Sequence, residues 1–201
     1  MDYLRKLKIP DYLSLVSLFF AWLSIVAILK NSPNFSIVFM LSAFSFDFLD
    51  GYFARKLNIA SKKGRIFDSF VDIFTYSVFS ALFYLSFLSP NISSGIIVGF
   101  FITSFGVLRL LRYIDEGILK DKKGNYYRGI TVLHINVFII SGYLIKSFTG
   151  FWDGGIFSLL LFFLSVFMLS NHKTYKIENY YIVFLFVIIF AMLALLLEYA
   201  Y

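Results

Sequence analysis

The chain has 201 residues, 60% of them hydrophobic and 27 of them Phe, with a mean hydropathy of +0.81 and a formal charge of +6. A water-soluble domain of this length has too little interior for so much apolar surface, so the composition points to an integral membrane protein. The absence of cysteine excludes disulfides and thiolate metal sites, and two histidines, His134 and His172, are too few for a histidine-rich one.

Residues 1–9 combine Tyr3, Leu4 and Leu7 with Arg5, Lys6 and Lys8, the pattern of a short amphipathic interfacial helix or of a plain basic topology signal. The opening "MDYLRKLKIPDYLSL" is charged and then broken by Pro10, with no small-residue cleavage site, so no cleavable signal peptide is expected. Seven apolar segments follow, near 12–29, 35–55, 66–89, 94–113, 130–147, 154–171 and 180–200. Each approaches the roughly 20 residues that a bilayer-spanning helix needs. The short alternating segments of a membrane barrel are missing. Lipid offers backbone groups no partners, so the expected fold is an all-α polytopic bundle of about seven spans in a single domain, 1–201. The stretch 114–128, "IDEGILKDKKGNYYR", reads as the longest polar loop.

Sixteen of the 18 Lys and Arg residues fall at the N-terminus or at the junctions after spans two, four and six; Lys30 and Lys146 alone fall on the other side. The bias predicts a cell-membrane protein with the N-terminus in the cytoplasm and the C-terminus outside. It accounts for the positive charge without nucleic-acid binding. Lys62, Lys63, Lys122 and Lys123 then suit general attraction of anionic headgroups.

Four of the twelve acidic residues, Asp47, Asp50, Asp68 and Asp72, lie inside two apolar segments. An aspartate at a helix centre costs roughly 2.5–3.5 kcal/mol on insertion scales, less near an interface. Asp47 and Asp50 are three apart on one helix, and Gly51 and Ala54 continue that face. Gly64, Asp68 and Asp72 follow one another at intervals of four on the next. If the two helices are antiparallel neighbours, four carboxylates converge and repel unless cations bind. A set of hard oxygens suits Mg²⁺, Mn²⁺ or Ca²⁺. The small residues beside them suit either close helix packing or room for a nucleotide and its pyrophosphate.

Together these positions read D-x2-D-G-x2-A-R-x8-G-x3-D-x3-D, at Asp47, Asp50, Gly51, Ala54, Arg55, Gly64, Asp68 and Asp72. The pattern resembles the signature of the CDP-alcohol phosphatidyltransferase family, over about residues 4–175, with 180–200 as an extra C-terminal span. The resemblance implies transfer of a substituted phosphate from a CDP-linked lipid to an alcohol, with release of CMP. It implies that the four aspartates hold two divalent cations, Mg²⁺ or Mn²⁺, and that Asp72 is also the general base. Asp50, Gly51, Ala54, Arg55, Gly64 and Asp68 would bind the CDP-lipid, with either diacylglycerol or archaeol tails. A homodimer is expected on the same ground.

"VLRLLRYI" at 107–114 and "FMLSNHKTY" at 167–175 resemble segments of the phosphatidylserine synthase branch, which makes L-serine the leading acceptor. "IPDYLSLVSL" at 9–18 is similar to a P-N-x-x-T opening in the family, with Asp11 and Ser14 in place of Asn and Thr. A serine carboxylate suits an arginine partner, and Arg109, Arg112 and Arg128 are the candidates, each also explicable as a topology residue. Glycerol 3-phosphate or inositol phosphate is the alternative acceptor. From another class, a cation transporter using intramembrane aspartates is the competing reading; it predicts a repeated arrangement of interrupted helices, and the sequence has no such repeat. A non-catalytic scaffold would leave the carboxylates unexplained.

Overall fold

The computed structural model describes residues 7–59, 61–176 and 179–200. Most of the expected N-terminal interfacial helix lies outside these residues. Leu7 and Lys8 are not helical, and the first helix starts at Ile9.

The architecture is a bundle of helices: α1 Ile9–Leu29, α2 Pro33–Lys56, α3 Lys62–Asp72, α4 Phe79–Phe87, α5 Ile92–Glu116, α6 Val132–Thr149, α7 Gly154–Phe167 and α8 Tyr180–Ala200. A π-helical turn, Ile73–Val78, joins α3 to α4, so that Lys63–Phe87 forms a single rod. Among the described residues, six helical rods are long and apolar enough to cross a membrane. The expected span at 154–171 is shorter than its apolar stretch: α7 has 14 residues, about 21 Å at 1.5 Å per residue. Its chain turns at Met168 to reach a polar structure outside the bundle.

That structure corrects the expected loop at 114–128. Helix α5 continues to Glu116 and stops at Gly117, whose φ of 68° ends the helix. The chain then forms a hairpin, β1 Leu119–Asp121 and β2 Gly124–Arg128, and β3 Lys173–Tyr175 adds to its free edge. Both pairings are antiparallel, with Leu119, Tyr126 and Tyr175 in register. These segments are too short to show strand periodicity in the sequence, and β3 is distant from the hairpin along the chain.

Helix α1 packs along α2 through small side chains. Ser14, Ser17, Ala21 and Ser24 are buried at alternating intervals of three and four. Such a stripe lets two backbones approach and exchange hydrogen bonds in lipid. Ser24 Oγ donates to Ser36 O at 2.8 Å, Ser36 Oγ returns a bond to Ser24 O at 3.0 Å, and Ser17 Oγ donates to Ala43 O at 2.9 Å. The core centres on α4, where Phe79, Phe83 and Tyr84 are fully buried among Ile102, Ile139 and Leu161. Helix α8 lies against α2, with Phe184 edge-on to Phe48 at 6.1 Å.

Candidate active site

Helices α2 and α3 send their carboxylates toward one point, although α3 packs chiefly on α1, α5 and the π-helical turn. Ser61 caps α3 by accepting from Gly64 N at 3.0 Å, which starts the helix so that Asp68 and Asp72 follow on the face toward α2. One carboxylate oxygen from each of Asp47, Asp50 and Asp68 lies within 4.8 Å of the others. Asp72 stands one turn deeper, beside Asp47. Asp50 is buried, and one oxygen each of Asp68 and Asp72 is sealed from solvent without a hydrogen-bond partner.

Two hydroxyls orient this cluster. Tyr76 Oη donates to Asp47 Oδ2 at 2.6 Å, and Ser14 Oγ donates to Asp50 Oδ2. Tyr76 lies inside the π-helical turn, whose widened backbone begins directly after Asp72. Such turns concentrate at functional sites because they re-aim side chains within a helix. The turn meets α5 at Gly106, where a Cβ would stand 2.5 Å from Ser77 Oγ, so a larger residue there requires the Ser77 side chain to shift.

Next to the carboxylates is a cavity of about 370 Å³. Asp50, Gly51, Ala54, Arg55, Gly64 and Asp68 all line it, as do Lys8 and Arg65. Three cationic side chains thus share a wall with three carboxylates, Asp11, Asp50 and Asp68. The Arg55 guanidinium lies over Gly51, where a Cβ would approach Arg55 Nη1 to 3.2 Å. The missing side chain therefore makes room for the arginine as well as for a ligand.

The three arginines proposed for acceptor binding are placed differently. Arg109 is buried, with its guanidinium carbon 5.5 Å from the ring centre of Tyr113 and 5.3 Å from that of Tyr127, and it is close enough to Asp72 to act on its charge. Arg112 donates to the carbonyls of Arg128, Met168, Leu169 and Ser170 at 2.7–3.2 Å, tying the ends of α5, β2 and α7 together. Arg128 pairs with Glu116 at 3.2 Å on the surface. Only Arg109 of the three faces the carboxylates. Lys176, just after β3, lies within electrostatic reach of Asp47 and Asp68.

Convergent carboxylates thus stand beside a cavity whose wall carries charges of both signs. A profile of the family "CDP-alcohol phosphatidyltransferase" matches residues 7–199. The chain belongs to the CDP-alcohol phosphatidyltransferase family. The match takes in α8 as well, beyond the extent read from the sequence motifs.

Among similar proteins is an archaetidylserine synthase of Methanothermobacter thermautotrophicus, 29% identical over 175 residues, covering 86% of this chain and 72% of that one. A CDP-diacylglycerol–serine O-phosphatidyltransferase of Methanocaldococcus jannaschii is 29% identical over 188 residues, covering 92% and 83%. A CDP-diacylglycerol–glycerol-3-phosphate 3-phosphatidyltransferase of Aquifex aeolicus is 39% identical over 88 residues, covering 43% and 48%.

Sequence reading missed Tyr76, Ser14, Tyr127 and Lys176 as neighbours of the carboxylate cluster and Arg109. Tyr76 was within reach: it continues the interval of four through Gly64, Asp68 and Asp72. Ser14 stands at a motif position where it replaces Thr and still supplies the hydroxyl. Tyr127 and Lys176 carried no local signal, because pairing between distant strands brings them in.

Proposed function

We propose that the protein transfers a phosphatidyl or archaetidyl group from a CDP-lipid to the hydroxyl of L-serine and releases CMP, in phospholipid synthesis. The observation that carries the acceptor reading is the juxtaposition of Asp72, with its unpartnered oxygen, and the buried Arg109. The named activities of the two archaeal relatives, each matched over most of its length, support the same acceptor.

The unpartnered oxygens of Asp68 and Asp72 and the all-oxygen donor set fit hard divalent cations. Asp47, Asp50, Asp68 and Asp72 would hold two of them, Mg²⁺ or Mn²⁺, which would supply charge neutralisation and Lewis acidity at the donor's pyrophosphate. The chain's own groups do the rest. Gly51, Ala54 and Gly64 leave space for the cytidine and pyrophosphate, and Arg55 offsets phosphate charge. Arg109 holds the serine carboxylate and so points the hydroxyl at the donor. Asp72 takes the hydroxyl proton as the serine oxygen bonds to the lipid-side phosphorus. The bond from that phosphorus to the bridging oxygen breaks, and CMP leaves with that oxygen. The basic surface around this end of the bundle supports a cytoplasmic site, where soluble serine and CMP exchange while the lipid tails stay in the bilayer.

Glycerol 3-phosphate is the second reading, favoured by the similarity to the Aquifex enzyme over 88 residues. The test is CMP release by purified protein given CDP-diacylglycerol or CDP-archaeol, Mg²⁺ or Mn²⁺, and serine, glycerol 3-phosphate or inositol phosphate in turn, with Asp72→Asn as control. Release that needs both serine and Asp72 supports the proposal. Release with a phosphorylated alcohol instead reassigns Arg109 to its phosphate. No release with any pairing from a folded protein, together with cation flux in liposomes, would replace the transferase reading with transport.

A further inference from the structure

The three-stranded sheet has two faces with different jobs. Side chains alternate along a strand, so Leu119, Asp121, Tyr126, Lys173 and Tyr175 share one face, and Asn125, Tyr127, Thr174 and Lys176 share the other. The first face closes on itself. Lys173 Nζ donates to Asp121 Oδ2 at 2.7 Å while lying 4.7 Å from the Tyr126 ring centre, and Tyr175 Oη donates to the same oxygen at 3.1 Å. This network spans β1 and β3 over the middle strand and stiffens a sheet of only eleven residues.

The second face points into the site. Tyr127 reaches the Arg109 guanidinium and meets Tyr113 edge-on at 5.7 Å. Lys176, whose N–H donates to Asn125 O at 2.9 Å, carries its charge toward Asp47 and Asp68. The sheet is anchored where it must not slide. Gly129, at φ 70°, donates to His172 O at 2.7 Å, and a Cβ there would stand 2.1 Å from Met168 O. Arg112 takes up the carbonyls around that junction.

We infer that Tyr127 is a positioning residue for the acceptor: its ring, with that of Tyr113, holds the Arg109 guanidinium by cation–π contact and leaves guanidinium N–H groups for an acceptor carboxylate. The inference rests on the acceptor role of Arg109 proposed above. A cation–π contact draws on the ring quadrupole and takes up no hydrogen-bond acceptor, so guanidinium donors stay available. Tyr113 is one turn along the same helix and moves with Arg109. Tyr127 comes from the sheet, so it sets where the guanidinium rests relative to Asp72. The contact is with the ring and not with the hydroxyl, and it therefore distinguishes Phe from Leu at this position.

The experiment measures CMP release by the full chain in detergent while serine and CDP-lipid are varied separately, for wild type, Tyr127→Phe, Tyr127→Leu, Arg109→Lys and the Arg109→Lys/Tyr127→Leu pair. Loss of a buried cation–π contact predicts that Tyr127→Leu raises the serine KM about fivefold or more. The CDP-lipid KM should stay at its wild-type value, and Tyr127→Phe should behave as wild type. In the Arg109→Lys background the Leu change should add little, because the arginine through which it acts is gone. Equal damage from Phe and Leu, a shift in both KM values, or full additivity with Arg109→Lys would each overturn the inference. If Tyr127→Leu does not fold, Tyr127→Met, which also lacks a ring, replaces it in the same comparisons and the same outcomes decide. If wild type uses glycerol 3-phosphate instead of serine, the serine assignment falls while the same comparison, run on that acceptor's KM, still upholds or overturns the clamp. A folded wild type that uses no alcohol removes both.

Discussion

At the end of the bundle away from the carboxylates, Asn34 accepts from Tyr143 Oη at 3.1 Å and donates to Glu198 Oε2 at 3.0 Å, and Tyr84 Oη meets Ser94 and Ser158 at 3.1 and 2.6 Å. Each of these polar groups has a partner, and the bonds dock α6, α7 and α8 onto α2, α4 and α5. At the carboxylate end, Asp68, Asp72, Ser69, Thr75 and Ser77 each keep a sealed oxygen with no partner. Both ends bury polar atoms in an apolar bundle. A completed network stiffens the fold, whereas each buried group left unmade costs about 1–3 kcal/mol. The completed network builds the fold, whereas the sealed oxygens of Asp68 and Asp72 are left for the cations that the proposed function places there.

The sharpest test of this contrast is Asp72→Asn. It should lower kcat for CMP release by about 10²–10⁴-fold, the range for removing a general base, while the thermal unfolding temperature stays at or above the wild-type value. A loss of fold instead of turnover would place Asp72 with the structural groups. Next is Tyr76→Phe, which frees Asp47 Oδ2. Removing a hydrogen bond that orients a ligating carboxylate should weaken Mn²⁺ binding, measured by titration, about 10–100-fold.

Cations should also stabilise the carboxylate end alone. Mg²⁺ at a hundred times its Kd should add about 2.7 kcal/mol to unfolding, EDTA should remove the gain, and Asp68→Asn should abolish it. At the other end, Asn34→Leu should lower the stability in detergent by about 1 kcal/mol, a size typical of polar contacts between membrane helices, with CMP release unchanged. A large loss of activity from Asn34→Leu would join the two ends that the structure keeps apart.

The smallest effect concerns the surface network of the sheet. The hydrogen bond from Lys173 holds the Asp121 carboxyl down at about 2. A depressed carboxylate stabilises the fold above its unfolded value of about 4, and that contribution is lost as the pH falls from there toward 2. Lys173 is raised by the same partner, so its share is present below its unfolded value and is lost only in strong alkali. The pair should therefore hold steady between about pH 5 and 9. Hydrogen exchange of residues 119–128 should show an acid-induced loosening in wild type that is absent in Asp121→Asn. Loosening near neutral pH would mean that something other than this pair fastens the sheet.

The sequence by itself determined the class of the protein, the helical bundle and the reaction family. The class and the bundle follow from local quantities, and the family from the resemblance that the motif at 47–72 carries. Apolar length near 20 residues forces a helix in lipid, and four carboxylates at intervals of three and four on helices must share a face. The cavity beside them is lined by all six residues that the motif nominated for the CDP-lipid. Length alone overstated α7, because an apolar run shows where a helix can lie and not where the chain must turn back.

Only the tertiary structure decided how the polar residues divide their labour. Arg109 and Arg112 are three residues apart and chemically identical, and one meets tyrosine faces beside Asp72 while the other binds four carbonyls of a junction. The sheet that delivers Tyr127 and the pairing of Ser14 with Asp50 likewise arise from contacts between segments distant along the chain. Helical periodicity assigns a residue to a face, but which partner that face meets depends on how the helices and the sheet pack.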